Sequence, residues 1–426
     1  MTSDSLGNRF SGADQTILQA YGEALDQFHC FRGDPLHTLE PLLAERPGFA
    51  MGHLLHAWLH LLSTEPEAPA VARQDLARVD DLPLEPRERG HAEAIGAFAA
   101  GRWRQAGRIL EALAAEHPRD ALALQAGHLI DFYRGDAAGL RRRPERALAH
   151  WQPHDPGYHA VLAMLAFGCE ESGDHRLTEE HGHRALELEP RNAWAHHAVT
   201  HVFAMEKRPG EGISWMRQRQ PFWADDNALA IHNWWHLALF HLDQGGIDPA
   251  LALFDGPLHG QRSTVTVDLI DASSLLWRLQ LRGVDVSERW RSVADLWRQV
   301  AVPGLYAFND LHAVMAWIGS GDRERTRRWI AAQSGQDPAA KGDGAALAAA
   351  VGEPLLQGFD AWGRGEAAAA IAFLSQALPG AQAIGGSHAQ RQVITLTLQE
   401  AQRAAEPDTA DGQPYAPGSA VGSTAP

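Results

Sequence analysis

Apolar residues recur along the chain at three- and four-residue intervals, the period of a helix that buries one side. The segments YHAVLAMLAFGCEESGD and HRLTEEHGHRALELEPRN are typical. In the second, Ala185, Leu186 and Leu188 precede Glu189-Pro190, and Asn192 opens the next helix. Short breakers punctuate these runs: Gly101-Arg102, Gly135-Asp136, Gly173-Asp174, Arg208-Pro209-Gly210, Gly245-Gly246, Gly283, Gly321-Asp322 and Gly365-Glu366. Nowhere do Val, Ile and Thr alternate between turn residues, so no sheet is expected. The pattern predicts an all-α chain of helix pairs.

A helix, a Gly/Asp turn and a second helix ending in a Glu-Pro or His-Pro step (Glu189-Pro190, His117-Pro118) is the tetratricopeptide signature, with a repeat of about 34 residues. Neither helix of a pair buries its apolar face alone, so neighbours stack into a continuous core, an α-solenoid. Breaker spacings above that length predict an irregular superhelix, with room to close on itself. The expected organisation is a flexible N-terminus over residues 1–19, one superhelical domain over 20–403, and a disordered tail over 404–426. The tail, AAEPDTADGQPYAPGSAVGSTAP, is rich in Pro, Gly, Ser and Ala. A polar break, GQDPAAKGDG, spans Gly335 to Gly344.

The chain has 426 residues and a net charge of −16. An acidic surface repels phosphate backbones and anionic lipid, which argues against nucleic-acid or membrane-surface binding. Cys30 and Cys169 are the two cysteines, too few for a disulfide framework or a Cys-rich metal site, and they suit a reducing compartment. The polar N-terminus lacks the apolar core of a signal peptide, and no stretch of about 18 uninterrupted apolar residues appears. A cytoplasmic protein is expected.

Several strings make the chain resemble the tetratricopeptide repeat protein 38 family over roughly residues 20–400. They are Ala166-Phe167 with Glu170-Glu171, the run Trp194 to Val202 (WAHHAVTHV), and His232 to Leu239 (HNWWHLAL). Asp268 to Leu279 (DLIDASSLLWRL), Phe308 to Ala313 (FNDLHA) and Gly385 to Arg391 (GGSHAQR) complete the set. The resemblance implies the same helical-repeat fold. The chain departs from the family at Ala204, where the resemblance implies a Glu.

Histidine is the residue that shifts the picture. There are 23, and thirteen lie between His150 and His259. Trp194, His197 and His201 fall at i, i+3 and i+7 on one predicted first helix, and His232 and His236 at i and i+4 on a later one. First helices of such repeats line the concave groove, so the two pairs would bring four imidazoles together. The spacing is that of a zinc-binding H-x-x-x-H helix without the accompanying Glu, and Glu170, Asp268 and Asp271 are candidate orienting carboxylates. Two readings follow: a divalent metal held by the four rings, or histidines that hydrogen-bond to one another, to carboxylates and to water.

Asp268 and Asp271 share a face with Ser274 and Leu275, and two neighbouring carboxyls raise one pKa, the basis of an acid/base pair. Helix capping by Asp268 is the structural alternative. Asn309 and His312 share another face. Ser387 and Arg391 follow a Gly-Gly turn that would let a ligand approach backbone N–H groups. His53, His56 and His60 form a further stripe, facing either the centre or the next helix. Trp103, Trp215, Trp290, Trp297 and Trp329 are expected in the core, whereas Trp194, Trp234 and Trp235 sit beside the histidines as an aromatic wall.

The chain contains no G-x-x-x-x-G-K-[ST], no G-x-G-x-x-G after a strand, no G-x-S-x-G and no C-x-x-C. Two functions remain. One is a small-molecule site in the His/Asp/Glu/Trp-lined interior, with acid–base or metal-assisted hydrolysis or elimination as its chemistry: His197, His201, His232, His236, Glu170, Asp268, Asp271 and His312 catalytic, Trp194, Trp235, Asn309, Ser387 and Arg391 ligand-binding. The other is a non-catalytic scaffold that holds a partner peptide in the concave groove.

Overall fold

A computed structural model of the chain describes residues 2–334 and 342–406. The helices run in pairs: α1 (Gln15–Cys30) with α2 (Pro35–Glu45), α3 (Ala50–Leu61) with α4 (Ala68–Val79), and α5 (Pro86–Ala99) with α6 (Trp103–Glu116). Next come α7 (Ala121–Tyr133) with α8 (Ala137–Leu148), α9 (Tyr158–Glu170) with α10 (His175–Leu188), and α11 (Ala193–Met205) with α12 (Pro209–Trp223). Then follow α13 (Ala230–Asp243) with α14 (Ile247–Leu253), α15 (Thr266–Leu281) with α16 (Ser287–Val300), and α17 (Ala307–Gly319) with α18 (Arg323–Ser334). The short α19 (Asp343–Leu347), the pair α20 (Glu353–Gly363) and α21 (Ala367–Ala377), and a final α22 (His388–Ala405) complete the set. The architecture is an all-α helical-hairpin superhelix.

The two helices of a pair differ in what they bury. The outer α10 buries one narrow stripe, Thr178, Gly182, Ala185 and Leu186. The inner α9 and α11 are buried without a break from Ala160 to Glu170 and from Ala193 to Phe203. A helix buried all round needs neighbours on every side. Inner helices stack on one another (α9 on α11, α13 on α15, α15 on α17), outer helices cover their backs, and α22 covers α15 from within. The tight inner-to-outer turn uses positive φ, as at Gly135 (62°) and Gly173 (78°), which L side chains rarely adopt.

The stack closes on itself. Glu65, after α3, accepts hydrogen bonds from the Thr266 amide (2.7 Å) and hydroxyl (2.8 Å) at the start of α15. The Gly135 carbonyl accepts from Gln382 at 2.8 Å, and Glu171, at the end of α9, accepts from the His388 amide at 3.0 Å. Trp277 donates to Thr397 of α22 at 2.9 Å. The concave face is therefore largely filled by the chain's own helices.

The N-terminal segment, expected as flexible, is folded onto this stack. Thr2–Ser3 and Arg9–Phe10 form a two-stranded antiparallel ribbon, the sheet pairing among the described residues. Phe10 anchors it, 2 % exposed and against Tyr21 (5.4 Å between ring centroids), while Glu88 accepts from the Ser11 amide at 2.9 Å. The first helix begins at Gln15, where Asp14 accepts from the Ile17 amide. One apolar run, Ala367–Ile384, is long enough by length and composition to cross a membrane. Its helix ends at Ala377, a 3₁₀ turn through Pro379 and Gly380 follows, and α21 packs on α20 and α22. Most of the proposed tail and of the polar break lies outside the described residues.

Candidate functional site

Asn192 sets the phase of α11 by accepting a hydrogen bond from the Ala195 amide at 2.9 Å, which turns His197 and His201 toward α13. On α13, His232 and His236 face back. The four Nε2 atoms converge: His197 to His232 at 3.0 Å, His201 to His236 at 3.1 Å, and His232 to His236 at 3.2 Å. All four ligand atoms lie within 4.8 Å of one another. A tetrahedron of nitrogens around zinc, with bonds of about 2.0–2.1 Å, has edges of about 3.3–3.4 Å, close to these separations.

The opposite ring nitrogens meet carboxylates. Asp271 of α15 takes a hydrogen bond from His232 Nδ1 (2.9 Å), and a Glu170 oxygen lies 3.1 Å from His201 Nδ1 without hydrogen-bond geometry. A carboxylate on the far nitrogen orients an imidazole lone pair and raises its basicity. His201 and Glu170 are fully buried, and His232 is 13 % exposed. The Nδ1 atoms of His197 and His236 are buried without a hydrogen-bond partner among the described residues. Burial, then the neighbouring imidazoles, hold both of these histidines well below the ordinary imidazole value, so both are neutral and free to donate a lone pair.

A cavity of about 310 Å³ adjoins the cluster. His197, His232, Asp268, Asp271 and Arg32 stand in its wall, and the rest is mostly apolar, including Phe28, Phe31, Leu129, Phe132 and Trp194. Asp268 caps no helix, since Glu65 takes the Thr266 amide; it accepts from Ser263 at 2.6 Å instead. Burial pushes its carboxyl up to about 6. Trp194 stacks on Phe31 and donates to His128 at 3.2 Å. Asn309 lines the same cavity and donates to Thr64 at 3.4 Å.

Other expected site residues lie elsewhere. Trp235 is fully buried behind the cluster, stacked on His232 at 5.2 Å, and is no part of the cavity wall. His312, on a neighbouring inner helix, binds the Phe308 carbonyl through Nδ1 at 2.8 Å and is fully buried, clear of the cavity. Ser387 and Arg391 do not present a ligand site. Ser387 caps α22 in a capping box with Gln390, and Arg391 donates to the Gly386 carbonyl and approaches Glu171 at 3.5 Å. The Gly385-Gly386 turn before them is packed against Tyr133, Tyr306 and Phe308 rather than open to a ligand. His53 and His56 turn to Asp75 of α4, 3.5 and 2.6 Å away, so that stripe is a helix–helix interface. Sequence reasoning missed Phe28, Phe31, Thr64, Tyr306 and Gln390 of the cavity, which come from both ends of the chain and carry no local signal.

No family model matches the chain. Solved structures align with the chain at low identity. Yeast Tom70 aligns at 10 % identity and TM-score 0.45, covering 87 % of this chain and 85 % of its own. The human IFIT1 dimer with m7Gppp-AAAA aligns at 15 % and 0.43, covering 93 % and 89 %. Cut9, from the APC/C hetero-tetramer Cut9-Hcn1, aligns at 11 % and 0.40, and this chain spans 62 % of its length.

Proposed function

We propose that His197, His201, His232 and His236 hold a transition-metal ion and that the adjoining cavity receives an apolar small molecule whose polar group meets that ion. The observation that carries this is the convergence of four imidazole nitrogens within 4.8 Å of one another, three pairs of them at 3.0–3.2 Å, with carboxylates behind two of the rings. Neutral imidazoles suit zinc, copper, iron or nickel. Four of them fill a tetrahedral ion and leave a position on a five- or six-coordinate one. His197 and His232 are the two members that line the cavity, so an open position would face it.

A bound ion would supply Lewis acidity toward a carbonyl or an attacking water. Asp268, with its carboxyl raised to about 6, is suited to accept and return a proton near neutral pH. Asp271 is the positioning residue that orients His232. Hydrolysis or elimination is the chemistry this set supports.

The fold class by itself equally supports a scaffold that binds a partner peptide. The pocket reading is favoured by the inner helices, which are buried against the chain's own α22 and one another where a peptide would have to lie. Metal analysis separates the two. The purified protein is expected to carry about one equivalent of zinc, iron, copper or nickel, lost in a His201→Ala/His236→Ala variant along with several degrees of thermal stability. Background metal in both proteins would overturn the proposal and leave the scaffold reading ahead.

A further inference from the structure

A second cavity, of about 100 Å³, lies between α13, α15 and α22. It shares no lining residue with the apolar cavity and touches the histidine cluster through His236. Its other ionisable lining residues are Asp243, Arg278 and Arg282. Asp243 and Arg282 stand 3.9 Å apart and offset each other's charge.

Arg278 is different. It is 1 % exposed, and no carboxylate lies within 4 Å of it among the described residues; Asp243 and Asp271 act on it only from further away. Its Nη2 donates to the Ala389 carbonyl at 2.7 Å and its Nη1 to the Ser274 carbonyl and hydroxyl, while Nε has no partner among the described residues. The Trp235 ring lies 5.3 Å from the guanidinium carbon. The Ser274 and Ala389 carbonyl dipoles, a place in the last turn of α15 and an aromatic face offset a cation only in part. Burying a guanidinium without a counter-anion is expensive, and the usual resolution for a cation that stays charged is an anion brought to it.

We infer that this cavity binds a small oxyanion, the carboxylate or phosphate group of a ligand, with Arg278 as its counter-charge. Nε–H and the second Nη2 hydrogen are left to donate to the oxygens of either group. A volume of about 100 Å³ is several times what one water requires, roughly 10–15 Å³, so a carboxylate or phosphate has room. The inference stands apart from the metal reading, because it uses neither the four-histidine geometry nor the apolar cavity.

The test is a thermal-shift titration of the full-length protein with sodium phosphate and, separately, sodium acetate, at constant ionic strength set by chloride. The titration is repeated after chelator treatment so that anion binding to a metal is separated out. A saturable rise in Tm with phosphate, with acetate or with both is expected, persisting after chelation, and the more potent salt identifies the group. Ala204→Glu places a carboxylate in the same cavity wall while leaving Arg278 in place, and should weaken the response at least tenfold. Arg278→Gln should do the same, and Ala204→Glu covers the case in which Arg278→Gln fails to fold. No rise beyond chloride, a rise lost on chelation, or an undiminished rise in Ala204→Glu would each overturn the inference.

Discussion

His201 and His236, on successive inner helices, hold their Nε2 atoms 3.1 Å apart in an interior where both side chains are almost fully buried. The pairing follows from helix geometry. Each residue has a histidine partner four positions away on its own helix, so one stacking contact between α11 and α13 gathers four rings. Carboxylates from two further inner helices, Glu170 of α9 and Asp271 of α15, then reach the outer edges. Four consecutive inner helices thus contribute to one centre.

That arrangement separates the two aspartates of α15. Asp271→Asn replaces the charged acceptor behind His232 with a neutral amide that raises its basicity less, and should weaken metal retention about 10- to 100-fold. Asp268→Asn leaves every imidazole contact in place and should leave metal content unchanged. Competition with a chromogenic chelator measures both, and equal retention in the two variants would show that Asp271 plays no part in holding the ion.

Acid should destabilise the protein well above the ordinary carboxylate range. Burial lowers His29, His196 and His312 to about 4 and His128 to about 3, with His197 and His236 also held low. Below about pH 6.5 the unfolded chain takes up protons at these positions and the native state does not, so stability falls as pH drops toward 4. Each such histidine contributes a slope of about 1.4 kcal/mol per pH unit. Asp268 and Asp310, raised by burial to about 6 and about 7, act in the opposite sense, because the native state holds their protons longer. Glu65, Asp131 and Asp243 are raised as well, but His60, His181, His183, His241 and His259 are also lowered, so the histidines prevail, and a denaturation midpoint that stayed flat from pH 7.5 to 5 would contradict this balance.

The sequence made the helix phases legible because breakers such as Gly173 and caps such as Asn192 fix where each inner helix starts, and the four histidines follow from spacing. The contacts that close the superhelix were not legible. Nothing local in Phe31 says that it will stack on Trp194, nor in Glu65 that it will take the amide of Thr266. The Gly-Gly turn shows the limit most clearly. Spacing predicts Ser387 and Arg391 beside an open turn, but Ser387 caps α22 and the space a ligand would need is filled by the Tyr306 hydroxyl, the Phe308 ring and the Tyr133 carbonyl. A cavity wall assembled from both ends of a closed superhelix has no signature in any single window.

Gly385 tests that closure. Its φ of 78° with ψ of −160° belongs to a region reserved for glycine, and a Cβ there would stand 2.0 Å from the Tyr306 hydroxyl and 2.6 Å from the Tyr133 carbonyl. Gly385→Ala should cost several kcal/mol, about 1–3 from backbone strain plus the steric term, and should loosen α22. Hydrogen exchange over His388–Ala405 and a lowered Tm would show it; wild-type protection would mean the turn tolerates rearrangement.

The apolar cavity makes the last prediction. Leu129 is 5 % exposed and lines it beside Phe132 and Trp194. Enlarging a side chain in a filled core usually costs about 1–3 kcal/mol through strain. Here the added ring of Leu129→Phe has open space to enter, so the variant should lie within about 1 kcal/mol of wild type and keep its metal. The same ring takes volume from whatever the cavity binds. Titration of an apolar aromatic probe, followed by tryptophan emission with Trp194→Phe as the control, should therefore show weaker binding in Leu129→Phe at unchanged Tm. A large loss of stability would mean that the space is already filled in solution, and unchanged probe affinity would mean that the probe binds elsewhere on the superhelix.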